Sequence, residues 1–371
     1  MSFSDSEHEE SFKNLPVYLH NLRRTNPHTH THFKTDLMDR FQSCFLAIGW
    51  VVHEFINCFL PVIFIGSARL RGNYLKTMFV VVAKDGNNLT FSIAFGMAVE
   101  NNMVSCTWFL MRLKESLGQG REVAFISNMD DVVSSCVNNV FTDSYHGYTC
   151  QSVHKYLCIR VGSGRSLETL FWITSKSYTM SIFEQIFSRL SHDAREMLTN
   201  IGHPKWARAY FPIIRWNVLN MEIRQYFSVL SLNQCNVPII TLIEGIREYM
   251  QNTFVERSIM AGSLTTVLTP YAQMVLQRRM QKFVGWQATQ TPQQISSPLP
   301  TYVYLVSDFK TTCVVDLNAR HLNMHELVDM VQVYYHADVF QLVYQTQTVH
   351  PLPPPSDWEI PEPLMAVLLP M

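Results

Sequence analysis

Charge is what this sequence has least of. Lys, Arg, Asp and Glu make up 16% of its 371 residues, against roughly a quarter in an ordinary soluble domain. The formal net charge is −1, which excludes the global pull toward nucleic acid that a strongly basic chain exerts. Contact with DNA then needs local clusters such as Arg23-Arg24 or Arg278-Arg279-Lys282, and each of these reads more plainly as a solvated helix face. The eight cysteines form no Cys-x-x-Cys pair, and their scatter suits the reduced thiols of a cytosolic or nuclear protein. An uninterrupted apolar run is missing too. Leu46 to Ile65 comes nearest and is broken by His53, Glu54, Asn57 and Pro61, whereas a membrane helix needs about 20 apolar residues, so no membrane partner is expected. Met1 to Glu10 is acidic and polar, unlike a signal peptide. There is no Gly-x-Ser-x-Gly elbow and no internal repeat, and Gly162-Ser-Gly-Arg165 is too short for a phosphate-binding loop.

What is present is a packed chain, 47% hydrophobic, long enough for one large domain with appendages or for two domains. Leu37 to Val52 carries apolar residues at helical or mixed spacing. Pro61 to Ile65 then forms a compact apolar run bounded by Pro61 and Gly66, which predicts a buried central strand. Met78 to Ala83 predicts a second strand, Asp85 to Asn88 a hairpin turn, and Thr90 to Met97 a third strand. Helical spacing over Asn102 to Ser116, a strand at Val123 to Ile126, a helix over Asp130 to Val140 and a strand at Tyr145 to Tyr148 complete a mixed α/β series. Beyond it the pattern turns helical: Leu167 to Ser175, Met180 to Leu190, Asp193 to Ile201, a start at Pro204, then Glu222 to Leu230, Pro238 to Phe254 and Thr269 to Phe283. Ala288 to Pro300 reads as a linker, Tyr302 to Val306 and Cys313 to Leu317 as strands, and Pro351 to Pro370 as an extended, poorly ordered tail.

A resemblance emerges from motifs strung along this series. Leu70-Arg-Gly-Asn-Tyr74, Val82-Ala-Lys-Asp-Gly-Asn-Asn88, Phe95, Glu100 and Trp108-Phe-Leu110 are followed by Phe125-Ile-Ser127, Tyr145-His-Gly-Tyr148, Lys205-Trp-Ala-Arg-Ala-Tyr-Phe211, Arg215-Trp-Asn217 and Leu268-Thr-Pro270. In this order, from Leu15-Pro-Val-Tyr18 and Asn26-Pro27 to Asp357-Trp358, they resemble the plant Mutator-like transposases over nearly the whole chain. The resemblance implies a ribonuclease H-like transposase core with a helical insertion and a mostly helical C-terminal region. The expected boundaries are a partly disordered flank over 1–50, the core over 51–160, the insertion and the helix of the third catalytic position over 161–285, and a linker, zinc-finger remnant and Pro-rich tail over 286–371. It also implies DNA as partner, a homo-oligomer or related transposase-derived proteins as further partners, and a nuclear location.

Active relatives hold two divalent cations, normally magnesium, between an Asp-Asp-Glu triad that activates water or a 3′-hydroxyl against a phosphodiester. At the positions the resemblance assigns to that triad this chain has Gly66, Asn128 and Gln225, with Arg224 in place of Gln225 if a one-residue deletion falls later. A register shift offers Asp130, Asp131 and Glu222 as substitutes for the second and third ligands, while nothing acidic lies near Gly66, the closest being Glu54 and Asp85. Catalysis is therefore expected to be lost, with no resident cofactor. The family's Cys-x-x-His becomes Cys150 and His154 with one residue inserted, and two ligands do not close a zinc site. The finger that should follow Val314-Val-Asp-Leu317 is skipped, so zinc is not expected either; His321, His325 and His336 read as surface histidines. His28, His30 and His32 alternate on one face if extended, although a polar turn after Pro27 is the plainer reading.

Overall fold

A computed structural model describes residues 3–70, 72–118, 121–129, 131–215, 219, 236–290, 303–307, 312–316, 332–346, 348–363 and 367–370. The chain divides into two compact units, one made of Met1–Lys84, Thr90–Glu256 and Gln347–Met371, the other of Asp85–Leu89 and Arg257–Thr346.

The first unit is built on a seven-stranded mixed sheet. Runs of β-branched and aromatic residues give β3 (Val62–Arg69), β4 (Thr77–Lys84) and β5 (Thr90–Ala98), an antiparallel meander buried almost throughout. β6 (Ala124–Ser127) then pairs parallel to β3, and β7 (Tyr145–Tyr148) parallel to β6. The crossovers are α4 (Met103–Leu117), started by the Asn102 side chain accepting from the Ser105 N–H at 2.9 Å, and α5 (Asp131–Val140). Phe109 of α4 packs on β5 where Gly96 leaves room: a Cβ there would lie 2.4 Å from the ring.

Two further strands extend the sheet beyond the five that the sequence predicts. β1 (His30–Thr35) pairs antiparallel with β2 (Phe41–Ala47), and β2 pairs antiparallel with β5, giving the order β1-β2-β5-β4-β3-β6-β7. The polar turn expected at the histidine run is confined to its start. His28 takes a left-handed φ of 62°, and the strand begins at His30. The mixed apolar pattern over Leu37 to Val52 is a strand followed by a helix, α3 (Gly49–Cys58), which explains why neither period dominated. The stretch expected as a flank also holds α1 (Asp5–Lys13), opened by a Ser4/Glu7 capping box, and α2 (Leu15–Thr25).

After β7 come α6 (Cys150–Val161), α7 (Arg165–Lys176), α8 (Met180–Phe187), α9 (His192–Ile201) and the short α10 (His203–Trp206). Phe171, Phe183, Leu198 and Trp206 meet in a second core, separate from the sheet's own. The expected helix over Glu222 to Leu230 lies outside the described residues. The next described helix, α11 (Ile239–Gly262), belongs to the second unit from Arg257 onward.

The tail is extended, as its prolines require, but it is tied down rather than loose. Two asparagines act as surrogate backbone. Asn26 donates to the His350 carbonyl at 3.1 Å and accepts from its N–H at 2.9 Å, and Asn21 does the same with Glu359 at 2.9 and 3.0 Å. Leu368 continues the pairing to the Asp39 carbonyl and the Phe41 N–H.

The second unit contains α12 (Pro270–Phe283), with Thr269 as its cap, the antiparallel strands β8 (Gln287–Gln290), β9 (Val303–Ser307) and β10 (Thr312–Asp316), and α13 (Ala337–Thr346). Its buried polar centre is Asp85, which accepts from Arg257 at 3.0 Å and the Tyr344 hydroxyl at 2.8 Å. This carboxylate is consumed in holding the hairpin turn and is no candidate ligand.

Candidate functional site

In an open sheet with parallel strands, ligands meet the chain at the carboxyl ends of those strands. Here those ends belong to β3, β6 and β7. Ile65 of β3 is registered against Ser127 of β6, so Gly66 and Asn128 are the next residues along two neighbouring parallel strands. Gly66 lies inside β3, opposite Val80, because β3 runs four residues past Ile65 while β6 stops at Ser127. Asn128 is exposed, and its Oδ1 accepts from the Thr149 hydroxyl at 2.9 Å.

Thr149 caps α6 and sits at the centre of a polar cluster. It also bonds Ser152 Oγ at 2.9 Å, and its N–H donates to the Ser127 carbonyl at 2.8 Å. Ser127 Oγ lies 2.9 Å from Nε2 of the buried His146, on the adjacent strand. Burial pushes the His146 imidazole down to about 3, with the Lys205 and Arg215 charges adding to the shift. Lys205 Nζ donates to the His146 carbonyl at 3.1 Å. Arg215, only 2% exposed, donates to the Trp206 carbonyl at 3.0 Å and the Tyr148 carbonyl at 2.8 Å, with Phe211 under its guanidinium at 4.9 Å. Both cations therefore serve as carbonyl clamps, Lys205 on β7 and Arg215 on β7 and α10. Burial lowers the pKa of each.

The clamp requires close backbone approach. A Cβ on Gly147 would lie 2.7 Å from the Lys205 carbonyl oxygen and 2.7 Å from the Phe211 ring. Gly147→Ala is expected to destabilise the first unit by about 1–3 kcal/mol through overpacking. A shift of the urea midpoint at constant slope reads this out; an unchanged midpoint would refute the clamp.

The predicted site residues divide accordingly. The structure brings Gly66 and Asn128 together. Gln225, Arg224, Glu222 and Asp130 lie outside the described residues, and Asp131 opens α5. Cys150 and His154 occupy one helix but have different partners. The Cys150 thiol, fully buried and raised in pKa by that burial, reaches the Trp206 carbonyl at 3.3 Å. His154 packs at a tilt against the Phe171 and Trp172 rings and has Cys158 Sγ 3.5 Å from Nε2. His30 and His32 share β1, and partial burial lowers both of their pKa values. His336 forms a backbone bridge with Leu268, while His321 and His325 lie outside the described residues. Arg24 is paired with Glu359 at 2.7 Å, whereas Arg278 and Arg279 are exposed on α12. Thr149 and Ser152 escaped sequence reading, because small hydroxyl residues carry no spacing signal, and Ser127 stood only as the end of the Phe125-Ile-Ser127 motif. His146, Lys205 and Arg215 lay within the quoted motifs, but nothing in the motifs said that they meet.

Chemically, this edge offers hydroxyls, a neutral amide and buried cations. Magnesium takes hard oxygens, normally carboxylates, and the one side-chain carbonyl here already accepts from Thr149. Gly66 and Asn128 therefore do not fit a two-cation centre. Among the described residues no group of three His, Cys, Asp or Glu side chains is placed to hold a metal ion, and no helix is long and apolar enough to cross a membrane. No known family model matches the chain, and no curated protein matches it.

Proposed function

We propose that this chain is a degenerate Mutator-like transposase that associates with DNA in the nucleus without cutting or joining it. One observation carries the reading: Gly66 and Asn128, the positions that the motif order assigns to the first two metal ligands, each directly follow the registered pair Ile65–Ser127 of the parallel strands β3 and β6. Sixty-one residues of sequence lie between them, so chain connectivity alone does not bring them together. The order β5-β4-β3-β6-β7, antiparallel in the meander and parallel across β3, β6 and β7, is that expected of a ribonuclease H-like core and supports the same reading. The side chains at those two positions cannot carry negative charge, so the ancestry is separable from the activity.

The test is binding of purified protein to plant terminal-repeat DNA across a salt series. Phosphate contacts release counterions, so affinity is expected to fall about tenfold or more between 50 and 200 mM salt. Absence of binding at low salt would leave a protein-interaction module as the surviving reading. Metal-dependent nicking would instead favour a recombinase using Asp130, Asp131 and Glu222.

A further inference from the structure

The near-neutral total conceals an uneven distribution. Between Cys150 and Arg215 there are nine Lys or Arg residues against four Asp or Glu, in a chain whose net charge is −1. Within this segment α6 carries no carboxylate and α7 only Glu168, while Lys155, Arg160, Arg165 and Lys176 are all exposed.

These four charges are held in a particular arrangement. The His154 ring of α6 packs against Trp172 of α7, tilted by 37° at 5.8 Å, which sets the first half of one helix beside the second half of the other. Lys155 lies midway along α6, and Lys176 is the last residue of α7. Arg160 and Arg165 flank the loop 162–164. The hairpin also shows Ile159 and Ile173, 70% and 47% exposed. The basic residues are interleaved with aromatic rings: Lys176 lies 5.3 Å from the Trp172 centroid and Arg160 5.6 Å from that of Tyr156. Just beyond α7, Tyr178 is 68% exposed, with the Arg208 guanidinium 4.2 Å from its ring centroid. A cation on one face of a ring holds the ring in place and leaves the opposite face to receive a flat partner.

We propose that the α6–α7 hairpin and the Tyr178–Arg208 pair form a binding surface for single-stranded DNA. The inference rests on the DNA-associating function proposed above and deepens it by naming the strand form and the surface. A single strand offers both phosphates for the four cations and unstacked bases for Tyr178, whereas a duplex offers only its phosphates. Stacking of unpaired bases on aromatic side chains beside a basic track is the general mode of sequence-tolerant single-strand binding.

The experiment measures fluorescence anisotropy of a labelled mixed-sequence oligonucleotide of about 20 nucleotides, single-stranded or annealed to its complement, across a salt series. Three full-length proteins are compared: the unmodified chain, a Lys155→Gln/Arg160→Gln/Arg165→Gln/Lys176→Gln variant, and Tyr178→Ala. The quadruple variant is expected to lose at least about tenfold in single-strand affinity and to flatten the log–log salt slope by about 3, at roughly 0.7 per phosphate contact. Tyr178→Ala is expected to lose about fivefold or more on single strands, since one stacked base contributes at least that much, and to leave duplex affinity unchanged. All five positions are on the surface, so far-UV circular dichroism should match in the three proteins. If the unmodified chain binds DNA and both variants bind it equally well, the surface assignment fails while the DNA-associating function stands. If Tyr178→Ala weakens duplex and single strand alike, the strand preference fails. If the unmodified chain binds neither form, both proposals fall together.

Discussion

Supercoiled plasmid incubated with this protein and magnesium or manganese is expected to remain supercoiled, with nicking at the uncatalysed background. The expected effect is large, because enzymes exceed their uncatalysed reactions by about a millionfold or more. The reason is electrostatic. Three carboxylates nearly cancel two divalent cations, whereas Gly66, Asn128 and Gln225 supply no charge at all. Two such cations brought together there would repel each other with only substrate phosphate to offset it. Asn128 cannot lend even its full carbonyl, since Thr149 already donates to it. The informative control is Gly66→Asp, Asn128→Asp and Gln225→Glu together. Asp is nearly isosteric with Asn and keeps the acceptor that Thr149 needs, so the triple variant is expected to nick above the parent. Nicking by the unmodified chain, abolished by Asp130→Ala or Glu222→Ala, would overturn the reading.

How much of this was legible in the sequence depends on the range over which each signal acts. β3, β4 and β5 were readable because each is buried on both faces and so forms a continuous apolar run, with a turn of high intrinsic preference at Asp85 to Asn88. β1 was not: His30, His32 and Lys34 look like a loop, and the strand exists because β2 pairs with it and with β5, about 50 residues further on. β2 itself was blurred by α3, which follows after a single residue and continues the same apolar stretch. The tail looked loose because prolines offer no backbone donors. Its order comes from Asn21 on α2 and Asn26 directly after it, more than 320 residues away in sequence. For the site, Gly66, Asn128 and Gln225 could be named from motif order alone, and the first two lie among the described residues. The cluster of Ser127, His146, Thr149, Lys205 and Arg215 could not, since it depends on which carbonyls lie within reach after folding.

That cluster should make the first unit acid-sensitive through one residue. His146 is buried between Ser127 on β6, Lys205 on α10 and Arg215, with no carboxylate in contact and no partner for Nδ1 among the described residues. Its imidazole stays neutral in the folded chain down to about 3, against 6.5 for an unperturbed histidine. The folded pKa is depressed, so this residue's contribution to stability is fully present above pH 6.5. As the pH falls below that value the unfolded chain takes up a proton that the folded chain refuses. Stability then drops by roughly 1.4 kcal/mol per pH unit, approaching roughly 5 kcal/mol near the folded pKa. Carboxylates titrate over part of the same window, so the comparison must be with His146→Gln, which keeps a hydrogen-bonding group near Ser127 and does not titrate. Between pH 7 and 4.5 the unmodified protein is expected to lose about 3 kcal/mol more than this variant in urea unfolding. Equal losses, or an imidazole that titrates near pH 6 in the folded protein by NMR, would show that water or a charge partner reaches His146 and that the clamp is open.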